Sequence, residues 1–129
     1  MAQSAGLHEP EDRVSPATID RHRALASIQE ELEAVDWYNQ RAKATANSEL
    51  RAILEHNRDE EKEHAAMVLE WLRRRDPKLA EHLRTYLFTK EPVTEIEAVV
   101  EHGGGEEAAV ASDGSLGIGS LRPAAGAAK

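Results

Sequence analysis

The chain has 129 residues, of which 40% are hydrophobic, 31% charged and 4% aromatic, a composition that suits one small domain. Its 16 Lys and Arg against 24 Asp and Glu leave a net charge of −8, which argues against a nucleic-acid binder because phosphate neutralisation needs clustered positive charge. The lack of cysteine excludes disulfide frameworks, zinc fingers, iron–sulfur clusters and cysteine nucleophiles. No apolar run reaches the ~18 residues of a membrane span and no signal-peptide core follows Met1, so we expect a soluble, cytoplasmic protein.

The first predicted helix follows a loose arm over residues 1–14, which has no apolar period. Ser15-Pro16 supplies an N-cap hydroxyl and a proline at the first helical position, and no glycine or further proline interrupts the chain from there to about Ala44. The turn at residues 46–48 then provides a new cap.

The second predicted helix runs from Ser48 to Arg75, where three arginines complement the negative end of the helix dipole and Asp76-Pro77 stops it. Shorter helical segments are expected over residues 78–88 and 92–98. Gly103-Gly104-Gly105 opens a flexible linker over residues 101–111.

No strand-like alternation occurs, so the predicted fold class is all-α: a two-helix antiparallel hairpin, half of a bundle, plus a short C-terminal helix. Each helix of about 28 residues is some 40 Å long. Because such a hairpin buries only one stripe of each helix, it should be marginal alone. We therefore expect dimerisation to complete a four-helix bundle.

A helical wheel places carboxylates and an imidazole in or beside the apolar stripes. On helix 1, Glu31 and Tyr38 lie at the edge of a face formed by Arg21, Ala24, Leu25, Ile28, Leu32 and Val35. On helix 2, Glu61 and His64 lie near the centre of a face formed by Leu50, Ile53, Leu54, Asn57, Val68, Trp71 and Leu72. Alternatives are a core histidine with a carboxylate partner, or edge carboxylates that reach water. Because no cation lies beside Glu61 in the stripe, we favour metal binding by Glu31, Glu61 and His64.

The spacing of these ligands is that of half a di-iron site. Glu61 and His64 form Glu-x-x-His, in which residues i and i+3 share a helix face. Di-iron bundles use one Glu from each of two helices and a Glu-x-x-His from each of the other two. Two hairpins related by a two-fold axis would supply four carboxylates and two histidines, with metals roughly 3.5–4 Å apart and His64 terminal on each. Which glutamate bridges stays open.

Other metals and sites fit less well. Zinc prefers more nitrogen or sulfur ligands, and oxygen-rich sites with one imidazole per metal suit iron or manganese. A separate acidic face carries Glu30, Glu33 and Trp37. A solvated surface is the ordinary interpretation. A tryptophan beside carboxylates, however, also fits a second subunit contact, and Glu30 and Glu33 could then attract cations towards the site.

Two helix segments resemble the signatures of the encapsulated ferritins: residues 30–38 (EELEAVDWY) and 58–67 (RDEEKEHAAM). The resemblance continues through residues 70–74 (EWLRR) and 82–88 (HLRTYLF), and residues 112–122 (SDGSLGIGSLR) are similar to the peptide by which cargo proteins dock inside encapsulin shells.

This resemblance implies a ferritin-like ferroxidase whose hairpins pair to build the di-iron centre within a ring-shaped decamer. It implies that Glu31, Glu61 and His64 are the iron ligands, that Tyr38 lies beside them, and that Glu30 and Glu33 take part in metal uptake or secondary binding. It also implies an encapsulin partner that holds the iron mineral in bacterial or archaeal cytoplasm.

The tail has its own pattern. Leu116, Ile118 and Leu121 are the sizeable hydrophobes after Val110, set among glycine and serine, and residues 123–129 are expected to be a disordered end. An ordinary disordered tail is the simpler interpretation. Apolar anchors in a flexible segment, however, are typical of peptides that dock into a groove on a partner.

Three functional classes follow from these observations. The leading one is a ferroxidase that oxidises Fe(II) to Fe(III) with oxygen. An erythrin-like di-iron peroxidase is the alternative within oxygen chemistry, disfavoured because the chain has no cysteine-rich electron-transfer domain. A non-catalytic helical adaptor that docks by its C-terminal tail is the alternative outside enzymes.

Overall fold

The computed structural model describes the backbone of residues 6–111 and the side chains of residues 6–102. A short 3-10 turn at Glu11–Arg13 precedes four helices: α1 (Pro16–Ala44), α2 (Ser48–Arg75), α3 (Pro77–Tyr86) and α4 (Val93–Ala111). No strand occurs in residues 6–111, which confirms the all-α prediction. The chain divides into two compact units between Glu81 and His82. None of the described helices combines the length and the apolar character needed to cross a membrane.

Side-chain caps define where the helices begin. The Thr18 amide donates to the Ser15 hydroxyl at 3.1 Å, and the Leu50 amide donates to the Asn47 side-chain oxygen at 2.8 Å. Both satisfy amides that have no partner inside the first turn of a helix. Asp76 ends α2 and also accepts from the Leu79 amide at 3.0 Å, so one residue separates α2 from α3. The predicted extents of the two long helices are confirmed.

Helices α1 and α2 pack against each other as an antiparallel hairpin. The Arg21 guanidinium near the start of α1 donates to the Arg75 carbonyl at the end of α2, at 3.3 Å. At the other end of the hairpin, Arg51 donates to the Ala42 carbonyl at 3.1 Å and also to the Thr45 carbonyl. These bonds satisfy carbonyls at the helix ends and hold the register of the two helices.

The core of the single chain is very small. Among the described residues only Ala42, Ala65 and Leu72 are buried hydrophobic residues. Leu25, Leu32, Leu50 and Ile53, which the sequence assigned to the stripes that must be buried, are between 45% and 55% exposed. An apolar surface of this extent is typical of a protein that associates with another copy or a partner.

Within the arm predicted over residues 1–14, residues 11–13 form a short turn. Three other predicted segments need correction. Helix α3 ends at Tyr86 rather than at Phe88. The last helix was expected to end near Ala98, but α4 continues to Ala111, so the linker predicted over residues 101–111 has helical backbone. Residues 106–109, two glutamates and two alanines, are good helix formers and offset the cost of the three preceding glycines. The predicted docking peptide over residues 112–122 and the end over residues 123–129 lie outside the described residues.

Candidate metal centre

Three potential metal ligands converge at the middle of the hairpin. Glu61 and His64 are one turn apart on the same face of α2, and the antiparallel pairing brings Glu31 of α1 opposite them. Each residue offers one ligand atom, and these three atoms all lie within 4.8 Å of one another. The residues that the sequence selected as iron ligands therefore form one cluster.

The imidazole lies between the two carboxylates. His64 Nδ1 is 3.3 Å from Glu61 Oε1 and 3.6 Å from Glu31 Oε1. The Glu31 and Glu61 side chains are 27% and 23% exposed, whereas that of His64 is 44% exposed. The cluster is thus partly sheltered by the hairpin and open on one side, where a second copy or solvent has access.

The two carboxyl groups and the imidazole perturb each other's protonation. A hydrogen bond to Glu61, together with burial and the charge of Glu61, raises the pKa of Glu31. The same hydrogen bond, assisted by His64, lowers the pKa of Glu61. The hydrogen bond between these facing carboxyl groups favours the protonated form of Glu31 and the ionised form of Glu61, because like charges close together oppose ionisation of both. A cation in the cluster would favour the ionised form of both.

The pKa of His64 is also raised. Burial works in the opposite direction, but the hydrogen bond to Glu61 and the charges of Glu31, Glu61 and Glu60 outweigh it. The structure shows no ion pair from Lys or Arg to Glu31 or Glu61 among the residues it describes. His64 is thus the one basic side chain within ion-pair distance of these two carboxylates among the described residues, a donor set that a metal ion can use once the ligands are deprotonated.

The donor set suits a hard or borderline metal. Two carboxylates and one imidazole per chain match iron or manganese better than zinc, which prefers tetrahedral sites richer in nitrogen or sulfur. Exposed acidic clusters are common without any metal, and the difference here is that an imidazole from the same helix face joins two partly sheltered carboxylates.

Sequence reasoning missed Glu60. Its carboxylate lies 3.9 Å from His64 Nε2, on the side of the ring opposite Glu31 and Glu61, and 3.8 Å from His56 Nε2. The i, i+4 spacing of Glu60 and His64 was the available signal. At 3.9 Å this is an electrostatic contact and not a hydrogen bond, and its negative charge contributes to the raised pKa of His64.

The other predicted site residues lie outside this cluster. Tyr38 is two turns further along α1, and the Arg41 guanidinium is 5.5 Å from the centre of its ring. Glu30 is exposed and Glu33 half-buried, and neither belongs to a metal-ligand group among the described residues. Trp37 is 49% exposed, as expected for that separate face. Leu116, Ile118 and Leu121 lie outside the described residues.

Comparisons with known proteins agree with this hairpin. A family model described as EncFtn-like matches residues 6–90. The chain is 60% identical over its full length to 97% of an encapsulated ferritin-like protein of Rhodospirillum rubrum, and 55% identical over 86% of its length to 93% of a ferritin-like protein of Thermotoga maritima. It is 36% identical over 95% of its length to 99% of the encapsulin nanocompartment cargo protein EncC of Myxococcus xanthus.

The crystal structure of protein ne0167 from Nitrosomonas europaea shares the fold. It is similar with a TM-score of 0.67 and 59% sequence identity, over 68% of this chain and 97% of that one.

Proposed function

Since this chain belongs to the EncFtn-like family, we propose that it is a ferroxidase that oxidises Fe(II) to Fe(III) with oxygen at a di-iron centre built between two copies. The observation that carries the proposal is the convergence of Glu31, Glu61 and His64 within 4.8 Å across α1 and α2. Three protein ligands in a half-open cluster are too few to enclose two metals. A second copy related by a two-fold axis doubles them to four carboxylates and two imidazoles.

Iron is the substrate of this site. The carboxylates of Glu31 and Glu61 bind Fe(II) in their ionised form, and their negative charge favours the product Fe(III) over Fe(II). Each Fe(II) gives up one electron, and a pair of them reduces one oxygen molecule to hydrogen peroxide with the uptake of two protons. His64 would hold each metal from the α2 side, and the charge of Glu60, 3.9 Å from its Nε2, would add to the negative field around the ring.

Further residues have supporting roles in this proposal. Tyr38 lies on the same helix face as Glu31, two turns further along α1, where it would border the two-copy centre, and Glu30 and Glu33 would attract cations towards that centre. Their acidity fits this role because clustered negative charge raises the local concentration of cations.

The test of the ligand assignment is aerobic Fe(II) addition followed by stopped-flow ferric absorbance. Replacing Glu31, Glu61 or His64 with alanine should slow the absorbance rise at least tenfold. Glu95→Ala and His82→Ala are the matched carboxylate and imidazole controls, because both side chains are exposed and lie far along the chain from the cluster. Wild-type rates in all three ligand variants would refute the assignment.

The same assay separates the other classes. A non-catalytic adaptor gives no ferric absorbance above background, and a peroxidase consumes added hydrogen peroxide faster than oxygen. Metal analysis combined with native mass measurement should find about one iron per chain in an even-numbered oligomer. We propose a decameric ring of such dimers.

We further propose that the protein is cargo of an encapsulin shell, which holds the oxidised iron inside a nanocompartment in the cytoplasm of a bacterium or archaeon. The relatives named for encapsulation support this proposal. Residues 112–122 are the proposed docking peptide, with Leu116, Ile118 and Leu121 as its apolar anchors.

Deleting residues 112–129 tests the docking peptide. Oxidation in solution should survive, because the deletion removes none of the ligands, whereas co-expressed shells should assemble empty. Replacing Leu116 and Ile118 with serine should weaken loading nearly as much as the deletion does. Normal loading of the truncated protein would show that the tail has no docking role.

A further inference from the structure

Phe88 has an unusual backbone and an unusual environment. It is the only phenylalanine of the chain, its side chain is 100% exposed, and its φ is 64°, in the left-handed region. It occupies the second position after the end of α3, where the Leu87 amide donates to the Leu83 carbonyl at 2.9 Å. Glycine is the usual residue at this position because it adopts a positive φ without steric cost. A bulky aromatic residue there is both strained and unprotected.

A groove on the hairpin has the size and chemistry to receive this ring. It has a volume of about 450 Å³ and is lined by Met67, Val68 and Trp71 of α2 and by Ala24 and Ser27 of α1, with the charged Asp20 and Arg23 of α1 completing the lining. A cavity of about 150 Å³ already suffices for a benzene ring. The Arg75 guanidinium lies 4.0 Å from the centre of the Trp71 ring and holds that ring in place. Met67, at one wall of the groove, is 60% exposed.

The groove continues from the metal cluster along the same face of the hairpin. Ser27 is one turn before Glu31 on α1, and Met67 and Val68 are one turn after His64 on α2. A second copy that completes the metal centre therefore also covers the groove. In an isologous dimer each contact is made twice, so a side chain that one copy inserts into its partner is matched by the same side chain of the partner.

We propose that Phe88 of each copy inserts its ring into the groove of its two-fold partner and so anchors the dimer. The proposal rests on the two-copy centre proposed above. Phe88 is fully exposed, and burial of its ring against Met67 and Trp71 would offset the steric cost of the left-handed backbone.

Photo-crosslinking tests this contact directly. Phe88 is replaced by p-benzoylphenylalanine, which keeps an aromatic ring at the position, and copies labelled with ¹⁵N are mixed with unlabelled copies before irradiation. The expected product joins position 88 of one isotope to the peptide containing Met67, Val68 or Trp71 of the other. Crosslinks within a single copy, crosslinks to another region, or no crosslinks would overturn the proposal.

Phe88→Gly tests its energetic role. Glycine relieves the backbone strain and removes the ring, so the single chain should melt at an unchanged or higher temperature while the dimer dissociation constant rises at least tenfold. The control is Val93→Ala, because Val93 is a 57% exposed apolar residue outside the proposed contact. An unchanged dissociation constant for Phe88→Gly would also overturn the proposal.

The two proposals fail in distinguishable ways. At protein concentrations well above its dissociation constant, Phe88→Gly should oxidise Fe(II) at the wild-type rate because it keeps all the ligands. Inter-copy crosslinks without any iron oxidation would refute the ferroxidase and leave the anchor in place. Iron oxidation with crosslinks elsewhere would refute the anchor alone.

Discussion

Ile53 connects the incomplete core of the hairpin to the predicted dimer. It lies on the same face of α2 as His64, about three turns earlier, and is 53% exposed. A second copy that completes the metal centre would bury the rest of this side chain. Ile53→Ala should therefore weaken the dimer more than it weakens the hairpin.

The magnitude follows from the exposed fraction. Ile→Ala removes three carbon groups at about 0.8 kcal/mol each, or about 2.4 kcal/mol for complete burial. Because 53% of the side chain is exposed in the single chain, about 1.3 kcal/mol of this belongs to association and about 1.1 kcal/mol to the hairpin. The two-fold axis doubles the association part to about 2.6 kcal/mol, which corresponds to a roughly seventyfold weaker dimer.

Sedimentation equilibrium under argon, at a fixed Fe(II) concentration and ionic strength, measures this change. The matched control is Leu7→Ala, which shortens an apolar side chain that is 41% exposed but lies before α1. It should leave the dissociation constant unchanged. Equal dissociation constants for Ile53→Ala and wild type would refute the assignment of this face to the dimer interface.

Three further predictions concern metal, capping and pH. Chelation of the metal should lower both the melting temperature and the dimer fraction. A metal present at 100 times its dissociation constant stabilises the protein form that binds it by about 2.7 kcal/mol. Calorimetry that finds no change on chelation would count against an interfacial site. Asn47→Ala should cost about 1 kcal/mol in urea unfolding because the Leu50 amide loses its partner, whereas Asn47→Asp should cost little. The hydrogen bonds from Arg73 and Arg74 lower the pKa of Glu70 from 4.5 to about 2, so the stability that this pairing contributes is present above pH 4.5 and lost as the pH falls towards 2. Between pH 4.5 and pH 2, the Glu70→Gln variant should lose less stability than the wild type in acid unfolding. Identical pH profiles for the two proteins would contradict this prediction.

The sequence alone was sufficient wherever the cause is local. Ser15 and Asn47 mark helix starts because a cap acts within three residues of itself, and Asp76-Pro77 marks a helix end for the same reason. Glu61 and His64 share a face because the helical period alone places them there. Local propensity was misleading at residues 103–105, where three glycines suggested a linker and α4 continues.

Tertiary structure decided the features that depend on how α1 and α2 pack together, such as the distances between their side chains and the burial of each residue. The approach of Glu31 to His64 requires the register of α1 against α2, which is set by contacts at both ends of the hairpin and not by either helix alone. The small residues Ala42 and Ala65 are buried there, whereas the larger Leu32 and Ile53 remain half exposed, because the line of closest contact depends on how two helix surfaces fit together. The raised pKa of Glu31, caused mainly by its hydrogen bond to Glu61, likewise depends on distance in space, which spacing along one chain does not determine.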